Sequence, residues 1–421
     1  MNFIDRGQQI INSYSEDELA AVKALPIYLT RCFSPHTFNS FNFLTNCKNA
    51  EEFWKFADSQ QEFRTAHYGS DLMGCFSKKE LELIKEISLD IGKLTKQFDR
   101  KTVPVGLNHQ LSSVPTIRLL EQFRASNPDI VEVLEIGGGS GMLGHMCHRL
   151  GFKYTNFDIT QSFYTFNSTV FETLYGEKFT DMRATRKSES QTPDSIADNE
   201  ITLVPWWHFV DVQLALPRFQ IVVMNHCFFE ISKKAMAFII ARLSNAVEGR
   251  VYLLVSEWGS KKFTELDGPF LQWLESEFDF RREPFDGHPK INPNGTVLLS
   301  FQKVKPELDV YTMPIDKRLN MISSDNNVVT SKVRTLLSRY MPDDIKMILR
   351  KILAANAASR KSTILGNYDP LFSSNEFNLV SFCKSFDDLK GLIHEIEKEF
   401  EKPSFTEDEA FGFYISRRDH A

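Results

Sequence analysis

The chain has 421 residues, enough for two or three domains, and its composition is ordinary for a soluble protein, with 42% hydrophobic and 25% charged residues. A net charge of −6 argues against a nucleic-acid-binding surface spread over the whole chain. Six scattered cysteines without C-x-x-C spacing indicate reduced thiols, and no run approaches about 18 apolar residues. We therefore expect a cytoplasmic protein without a signal peptide or membrane span.

The first part of the chain predicts mainly helices. The acidic stretch Ser15–Glu18 is typical of a helix start, and apolar residues at i, i+3 and i+4 predict helices over residues 51–63 and 78–98. A linker is expected over residues 103–109. We interpret residues 1–105 as a helical cap or lid region.

A strand, a glycine turn, a helix and a second strand follow in close succession. Residues 131–136 predict a short buried strand, and residues 142–150 predict a helix that ends at Gly151. A second strand is expected over residues 152–157, directly before Asp158. This unit is typical of the first half of a doubly wound nucleotide-binding sheet.

The turn contains four glycines within five positions, namely Gly137, Gly138, Gly139 and Gly141. Glycine adopts positive φ and lets a ligand lie against bare backbone. The turn also opens a helix, whose free N–H groups attract electron-rich atoms. Asp158, at the tip of the second strand, can accept two hydrogen bonds from ribose hydroxyls. A tight turn without a ligand is the less favoured interpretation.

Two ligands compete for this turn. Gly139, Gly141 and Gly144 match the dinucleotide fingerprint G-x-G-x-x-G, and Asp158 follows at about the expected distance. Glu135, however, stands two residues before the first glycine. Its carboxylate would repel a pyrophosphate, whereas it suits S-adenosylmethionine, which has no phosphate and carries an ammonium group. The pattern therefore favours S-adenosylmethionine over NAD.

The stretch Glu135-Ile-Gly-Gly-Gly-Ser-Gly141 resembles the first motif of the class I S-adenosylmethionine-dependent methyltransferases, and Asp158 is similar to their ribose-binding acid. The resemblance implies that Glu135 and Gly137 hold the aminoacyl end of the cofactor and that Asp158 holds the ribose. It also implies that Gly139 and Gly141 pass under the cofactor, with Gly138 in the same turn.

A third predicted strand, Ile201–Pro205, leads into two adjacent tryptophans. In the resembled fold this position borders the adenine, so Trp206 or Trp207 could stack on the base, a contact worth roughly 1–3 kcal/mol. Burial of both rings in a core or an interface is the equally favoured alternative.

The fourth predicted strand, Phe219–Met224, is followed by Asn225 and His226. Substrate chemistry in doubly wound sheets gathers at the carboxyl ends of central strands. We therefore assign Asn225 to the cofactor site and His226 as the candidate general base, with Glu230 or Asp211 to orient it. A hydrogen-bonded core histidine is the alternative for His226.

The fifth predicted strand, Val251–Ser256, is followed by strands predicted over residues 280–285 and 296–304. An antiparallel final hairpin of this kind is typical of the methyltransferase sheet and not of the dinucleotide-binding half of dehydrogenases. The predicted fold class is α/β: a doubly wound, Rossmann-like methyltransferase sheet over residues 106–304. Mainly helical regions flank it, and the C-terminal one covers residues 305–421.

His145, Cys147 and His148 lie close together on the helix after the glycine turn, but no further ligand appears at useful spacing, so we predict no metal site. The first motif, the Pro-Trp-Trp-His and Asn-His segments and the helical flanks together are most similar to the sugar O-methyltransferases of bacteria. This resemblance implies methyl transfer to a hydroxyl of a sugar, a nucleotide-sugar or another small acceptor. A cofactor-binding module without turnover and an NAD-dependent oxidoreductase remain the alternatives, and the oligomeric state is open.

Overall fold

The computed structural model describes part of the chain. The described residues are 3–25, 33, 44–59, 76–95, 106–129, 131–183, 200–211, 214–225, 227–228, 231, 233–256, 268–283, 297–303 and 379–400. Eight strands form one sheet: β1 (Glu132–Ile136), β2 (Lys153–Asp158), β3 (Phe179–Asp181), β4 (Ile201–Pro205), β5 (Ile221–Asn225), β6 (Val251–Ser256), β7 (Arg281–Arg282) and β8 (Val297–Phe301).

Ten helices accompany this sheet within the described ranges: α1 (Phe3–Ala24), α2 (Ala50–Ser59), α3 (Lys78–Thr95), α4 (Leu107–Ser126), α5 (Met142–Arg149), α6 (Gln161–Tyr175), α7 (Trp206–Val210), α8 (Lys233–Ala246), α9 (Gly268–Phe278) and α10 (Leu379–Phe400). None of them combines the length and the apolar character that a bilayer crossing requires.

The strand order is β3-β4-β2-β1-β5-β6-β8-β7. The strands from β3 to β6 pair in parallel, whereas β8 runs antiparallel to both β6 and β7. This topology confirms the predicted doubly wound sheet with an antiparallel hairpin at one edge. The strand order reverses between β1 and β5, and crevices that bind ligands open at the carboxyl ends of strands at such a switch point.

Two local predictions need correction, and one strand was missed. Ser15 does not begin a helix, because α1 is continuous and the Ser15 hydroxyl donates to the Ile11 carbonyl at 2.8 Å, as serines inside helices often do. The linker is shorter than expected, since α4 already begins at Leu107, after Gly106 in a left-handed conformation with φ +63°. The edge strand β3 was not predicted, because three residues are too few to show an alternating pattern.

The N-terminal helix shares the hydrophobic core of the sheet. Tyr14 of α1 and Phe53 of α2 belong to the same buried cluster as the strands, and Leu392 of α10 also joins it. Helix α1 packs against α2, α6 and α7, while α10 packs against α3. The division into residues 1–105, 106–304 and 305–421 stays a prediction.

Two arginines tie α1 to the sheet, and we call these contacts the α1 clamp. Arg6 forms two hydrogen bonds with the Glu172 carboxylate on α6, at 2.7 and 2.6 Å. Arg183, just after β3, pairs with Asp181 and donates to the Ile10 carbonyl of α1 at 3.0 Å. The clamp fixes α1 beside the strand ends where Asp158 lies.

Candidate functional site

The glycine turn between β1 and α5 has the backbone geometry that its sequence predicts. Gly137, Gly139 and Gly141 have φ values of +72°, +53° and +73°, a region that side-chain-bearing residues rarely adopt. A Cβ added at Gly139 would meet no atom within 4 Å. One face of the turn is therefore open to a ligand.

The opposite side of the turn is packed against the sheet. A Cβ on Gly138 would lie 2.5 Å from the side-chain nitrogen of Asn156 and 2.9 Å from the Glu135 carboxylate. Gly138 thus meets polar side chains beneath the turn, while Gly139 faces open space. The cofactor-binding role of the four glycines stays a prediction, and these contacts show which side could receive a ligand.

Glu135 is buried at the end of β1, where only 2% of its surface is exposed. The Tyr154 hydroxyl donates to one of its carboxylate oxygens, and the side-chain amide of Asn225 donates to the other at 3.4 Å. Burial raises the pKa of Glu135 to about 7, and the nearby charge of Asp158 adds to the rise, while the two donors oppose it.

Asp158 ends β2 and is 5% exposed. One of its oxygens accepts from both the backbone N–H and the hydroxyl of Thr160, each at 2.8 Å. Burial raises the pKa of Asp158 to about 6, although the Thr160 donors and the backbone N–H groups of Gly139 and Ile159 lower it. The backbone contact with Gly139 places this carboxyl directly beside the open part of the turn.

No ion pair within the described part of the chain involves Glu135 or Asp158, so their charges meet neutral donors alone. Two buried carboxyls flank one open glycine turn. A ligand that brings a positive group and ribose hydroxyls would supply what the site lacks, whereas a pyrophosphate would add negative charge beside Glu135. The residues present therefore fit S-adenosylmethionine.

The predicted catalytic residues His226 and Glu230 both lie outside the described residues. Their neighbours are described: Asn225 ends β5, and its side-chain oxygen accepts from the Thr116 hydroxyl at 2.9 Å. Cys227 donates through its thiol to the Ile136 carbonyl at 3.0 Å. Cys227 is thereby held against the end of β1, next to the glycine turn.

Trp206 and Trp207 are both almost fully buried, at 1% and 2% exposure. They begin α7 rather than an extended segment, and the Trp206 indole N–H donates to the Glu18 carboxylate of α1 at 2.7 Å. The Trp207 ring meets Tyr14 of α1 edge-on at 4.7 Å between centroids. The adenine contact of Trp206 stays a prediction, and in this structure α1 covers both rings.

Asn156, which the sequence did not predict to be a site residue, lies beside Gly138, as Glu135 does. It is fully buried, and neither of its amide atoms has a hydrogen-bond partner within the described part of the chain. It stands between Tyr154 and Asp158 on β2, so all three point to the same face of the sheet. The spacing of these polar residues at every second position was the signal that could have revealed it.

The two histidines on α5 do not form a metal centre with their neighbours. The Nδ1 atom of His145 lies 2.6 Å from the Tyr175 hydroxyl, and His148 lies 2.8 Å from the Glu200 carboxylate. Burial lowers the pKa of His145 to about 3, so this ring is neutral. No group of three or more metal-ligating side chains occurs among the residues that the structure describes.

A polar groove of about 590 Å³ lies between α1 and the start of α6. Its floor includes Gln161, whose side-chain oxygen accepts from the backbone N–H of Cys47 at 2.7 Å and whose amide donates to Ser15 at 3.1 Å. Gln161 comes three residues after Asp158 in the chain, and Ser15 and Glu18 on α1 also line the groove.

Comparisons with known proteins give a likeness to methyltransferase structures at low scores. A TehB-like SAM-dependent methyltransferase from Corynebacterium glutamicum aligns over 44% of this chain and 87% of its own, with 15% identity and a TM-score of 0.27. The glycopeptide N-methyltransferase MtfA in complex with sinefungin aligns over 46% and 87%, with 16% identity and a TM-score of 0.28. Magnesium protoporphyrin IX methyltransferase from Synechocystis, with bound SAH, aligns over 54% and 100%, with 11% identity and a TM-score of 0.30.

No protein-family model matches the sequence, and no curated protein matches it. At these identities and scores, the structural likeness does not by itself assign an activity to the chain.

Proposed function

We propose that this protein is an S-adenosylmethionine-dependent methyltransferase that methylates a hydroxyl of a sugar or another small acceptor. The observation that carries the proposal is the open glycine turn flanked by the buried carboxyls of Glu135 and Asp158, at the point where the strand order reverses. The mixed sheet supports it, because an antiparallel hairpin at the edge is typical of methyltransferases and not of dinucleotide-binding halves.

The charge of the site favours S-adenosylmethionine over NAD. Burial raises the pKa of Glu135 to about 7, and no cation among the described residues pairs with this carboxyl. A ligand ammonium near Glu135 and ribose hydroxyls at Asp158 would compensate both groups. A pyrophosphate in the same turn would meet uncompensated negative charge.

The bound cofactor supplies an electrophilic methyl group on a sulfonium, which an acceptor hydroxyl attacks in line. The protein aligns the two reactants, so positioning accounts for much of the rate. We assign His226 as the base that takes the hydroxyl proton and Glu230 as its orienting partner, because both follow β5 at the carboxyl edge of the sheet. Asn225 would border the cofactor, and Trp206 would lie near the adenine.

The acceptor would approach between the sheet and the N-terminal region. Helix α1 packs against α6, which follows Asp158 in the chain, and Glu18 on α1 accepts a hydrogen bond from Trp206. This placement supports a cap role for residues 1–105 above a catalytic domain of residues 106–304. Cys47, Cys147 and Cys227 are buried thiols that form no disulfide, which fits a cytoplasmic protein.

The decisive test is a set of parallel calorimetric titrations with S-adenosylmethionine, S-adenosylhomocysteine and NAD. We expect the first two to bind and NAD to give no heat. An acceptor screen would then begin with sugars and nucleotide-sugars. Binding of NAD alone would overturn the proposal in favour of an oxidoreductase, and cofactor binding without turnover of any acceptor would favour a non-catalytic module.

The assignment of His226 makes a separate prediction. Replacement His226→Ala should lower kcat by about 10²- to 10⁴-fold, because a positioned base contributes that much to proton transfer. The dissociation constant of S-adenosylmethionine should stay unchanged, as measured by calorimetry. Near-normal turnover in the variant would remove His226 from the mechanism.

A further inference from the structure

A chain of hydrogen bonds connects α4 to the acidic residue of the glycine turn. The Thr116 hydroxyl donates to the side-chain oxygen of Asn225 at 2.9 Å, and the amide nitrogen of Asn225 donates to Glu135 at 3.4 Å. The Tyr154 hydroxyl donates to the other carboxylate oxygen of Glu135. Thr116 is fully buried, in the turn of α4 that follows Pro115.

The orientation of the Asn225 amide decides whether it stabilises or destabilises the ionised form of Glu135. An ionised carboxylate only accepts hydrogen bonds, so the NH₂ group must face Glu135 and the amide oxygen must face away. In that orientation the oxygen points at Thr116, which supplies a donor. In the reverse orientation, the amide oxygen of Asn225 would face the Glu135 carboxylate, and Asn225 would donate no hydrogen bond to it.

We propose that Thr116 is a positioning residue of the cofactor site, because its hydroxyl supplies the donor that the Asn225 oxygen needs when the NH₂ group faces Glu135. The hydroxyl thereby stabilises the ionised carboxylate, which is the form that receives a cationic ligand group. Hydrogen bonds in such a chain polarise one another, so the first donor strengthens the last. The role of the ligand rests on the proposed function, whereas the effect on Glu135 does not.

Several ionisable groups face Glu135 from the elements packed around it. On β2 these are Tyr154, which donates a hydrogen bond to Glu135, and Asp158, whose negative charge disfavours the ionised form of Glu135. On α5 it is Cys147, which is buried and holds its proton. Asn225 on β5 and Thr116 on α4 do not titrate. A change at Thr116 therefore acts on Glu135 through Asn225.

The test reads the titration of Glu135 directly in the ligand-free protein. Infrared difference spectra of the protein with isotope-labelled glutamate carboxyls follow the absorption band of the protonated Glu135 carboxyl. The variant Glu135→Gln identifies this band, because the band disappears there. The variant Thr116→Val keeps the shape of the side chain and removes the donor. We expect it to raise the titration midpoint of Glu135 by roughly 0.3 to 1 pH unit, whereas Thr116→Ser keeps the original midpoint.

The same variants are then titrated with S-adenosylmethionine between about pH 6 and pH 9. At pH 6.5, Thr116→Val should bind roughly two- to tenfold more weakly than the natural protein, and the difference should vanish near pH 9, where Glu135 is ionised in both. A purely structural defect would weaken binding equally at every pH. Thr116→Ala replaces the valine variant if valine prevents folding.

The matched control is Thr169→Val on α6. Thr169 is also fully buried, but its hydroxyl bonds to the Thr165 carbonyl of its own helix at 2.7 Å. This variant should leave the Glu135 midpoint unchanged. An unshifted midpoint in Thr116→Val would overturn the positioning role. A shifted midpoint in a protein that binds no S-adenosylmethionine would instead overturn the proposed function and leave the role of Thr116 intact.

Discussion

Asp158 and Asp181 end two strands of the same sheet, yet their surroundings differ sharply. The side chain of Asp181 is 17% exposed and pairs with Arg183, while the hydroxyls of Tyr164 and Ser168 also donate to it. Burial alone would raise the pKa of Asp181, but the Arg183 guanidinium outweighs this and holds the pKa below its usual range. Among the described residues Asp158 meets neutral donors alone, and burial raises its pKa to about 6.

The difference separates a carboxylate that is paired within the protein from one whose charge is compensated by neutral donors. The charge of Asp181 is satisfied within the protein and serves to hold α1 through Arg183. The charges of Asp158 and Glu135 are buried at an open turn and are compensated only in part. Removing a charge should therefore affect stability in the first region and ligand affinity in the second.

The largest expected effect is on stability. Replacement Arg183→Ala should lower the free energy of unfolding by about 3 kcal/mol, because it leaves Asp181 buried without a countercharge and releases a contact to α1. Chemical denaturation measures this loss. Affinity for S-adenosylmethionine should change less than about threefold when measured well below the unfolding transition. A stability loss below about 1 kcal/mol would show that the α1 clamp matters little.

The second effect is on ligand affinity. Replacement Asp158→Ala should weaken binding of S-adenosylmethionine about 10- to 100-fold, since it removes the acceptor of one or two ribose hydrogen bonds. The matched variant Asp181→Asn should lower the unfolding temperature and leave the affinity near that of the natural protein. Calorimetry and thermal unfolding of both variants test the contrast. Unchanged affinity in Asp158→Ala would remove Asp158 from the site.

The third effect is a pH dependence of binding. Glu135 and Asp158, with pKa values of about 7 and 6, hold protons in the free protein at low pH, and a cationic ligand favours their ionised forms. Binding should therefore release protons, and affinity should rise by about tenfold between pH 5.5 and 7.5. Calorimetry in buffers of different ionisation enthalpy counts the protons. The variant Glu135→Gln should flatten the upper part of this rise.

The free protein should show the opposite trend in stability. The pKa values of Glu135 and Asp158 lie above those of the same groups in the unfolded chain. The contribution of these two carboxyls to stability is therefore complete below about pH 4 and is lost as the pH rises through 6 and 7. Saturating S-adenosylmethionine should offset the loss at pH 8. Stability that rises through the same range in the free natural protein but not in Glu135→Gln would contradict the assigned direction.

The smallest effect is expected at the outer contact of the α1 clamp. Arg6 and Glu172 are 34% and 39% exposed, so water already screens their attraction. Replacement Arg6→Ala should cost about 0.5–1 kcal/mol of unfolding free energy, measured by chemical denaturation. Comparison with Arg183→Ala shows how the stability contributed by an arginine contact depends on its burial. Equal losses in the two variants would contradict that scaling.

Local sequence was sufficient for most of the sheet and for the turn. The strands β4 and β6 occupy the residues expected from their apolar patterns, because buried parallel strands form short continuous apolar runs in a sequence. The positive φ values at Gly137, Gly139 and Gly141 likewise follow from residue type, since only glycine takes that conformation without strain. The doubly wound fold and the location of the candidate site were therefore predictable.

Tertiary structure decided which polar groups meet. Thr116 and Asn225 are 109 residues apart in sequence, and Trp206 and Glu18 are 188 apart, so no local pattern pairs them. The fate of each buried charge was also decided there, because a pKa depends on which donors, cations and water the fold brings to a carboxyl. Sequence alone indicated that acids stand at the ends of β1 and β2. Packing determined that Asp181 pairs with an arginine, while Glu135 and Asp158 meet neutral donors among the described residues.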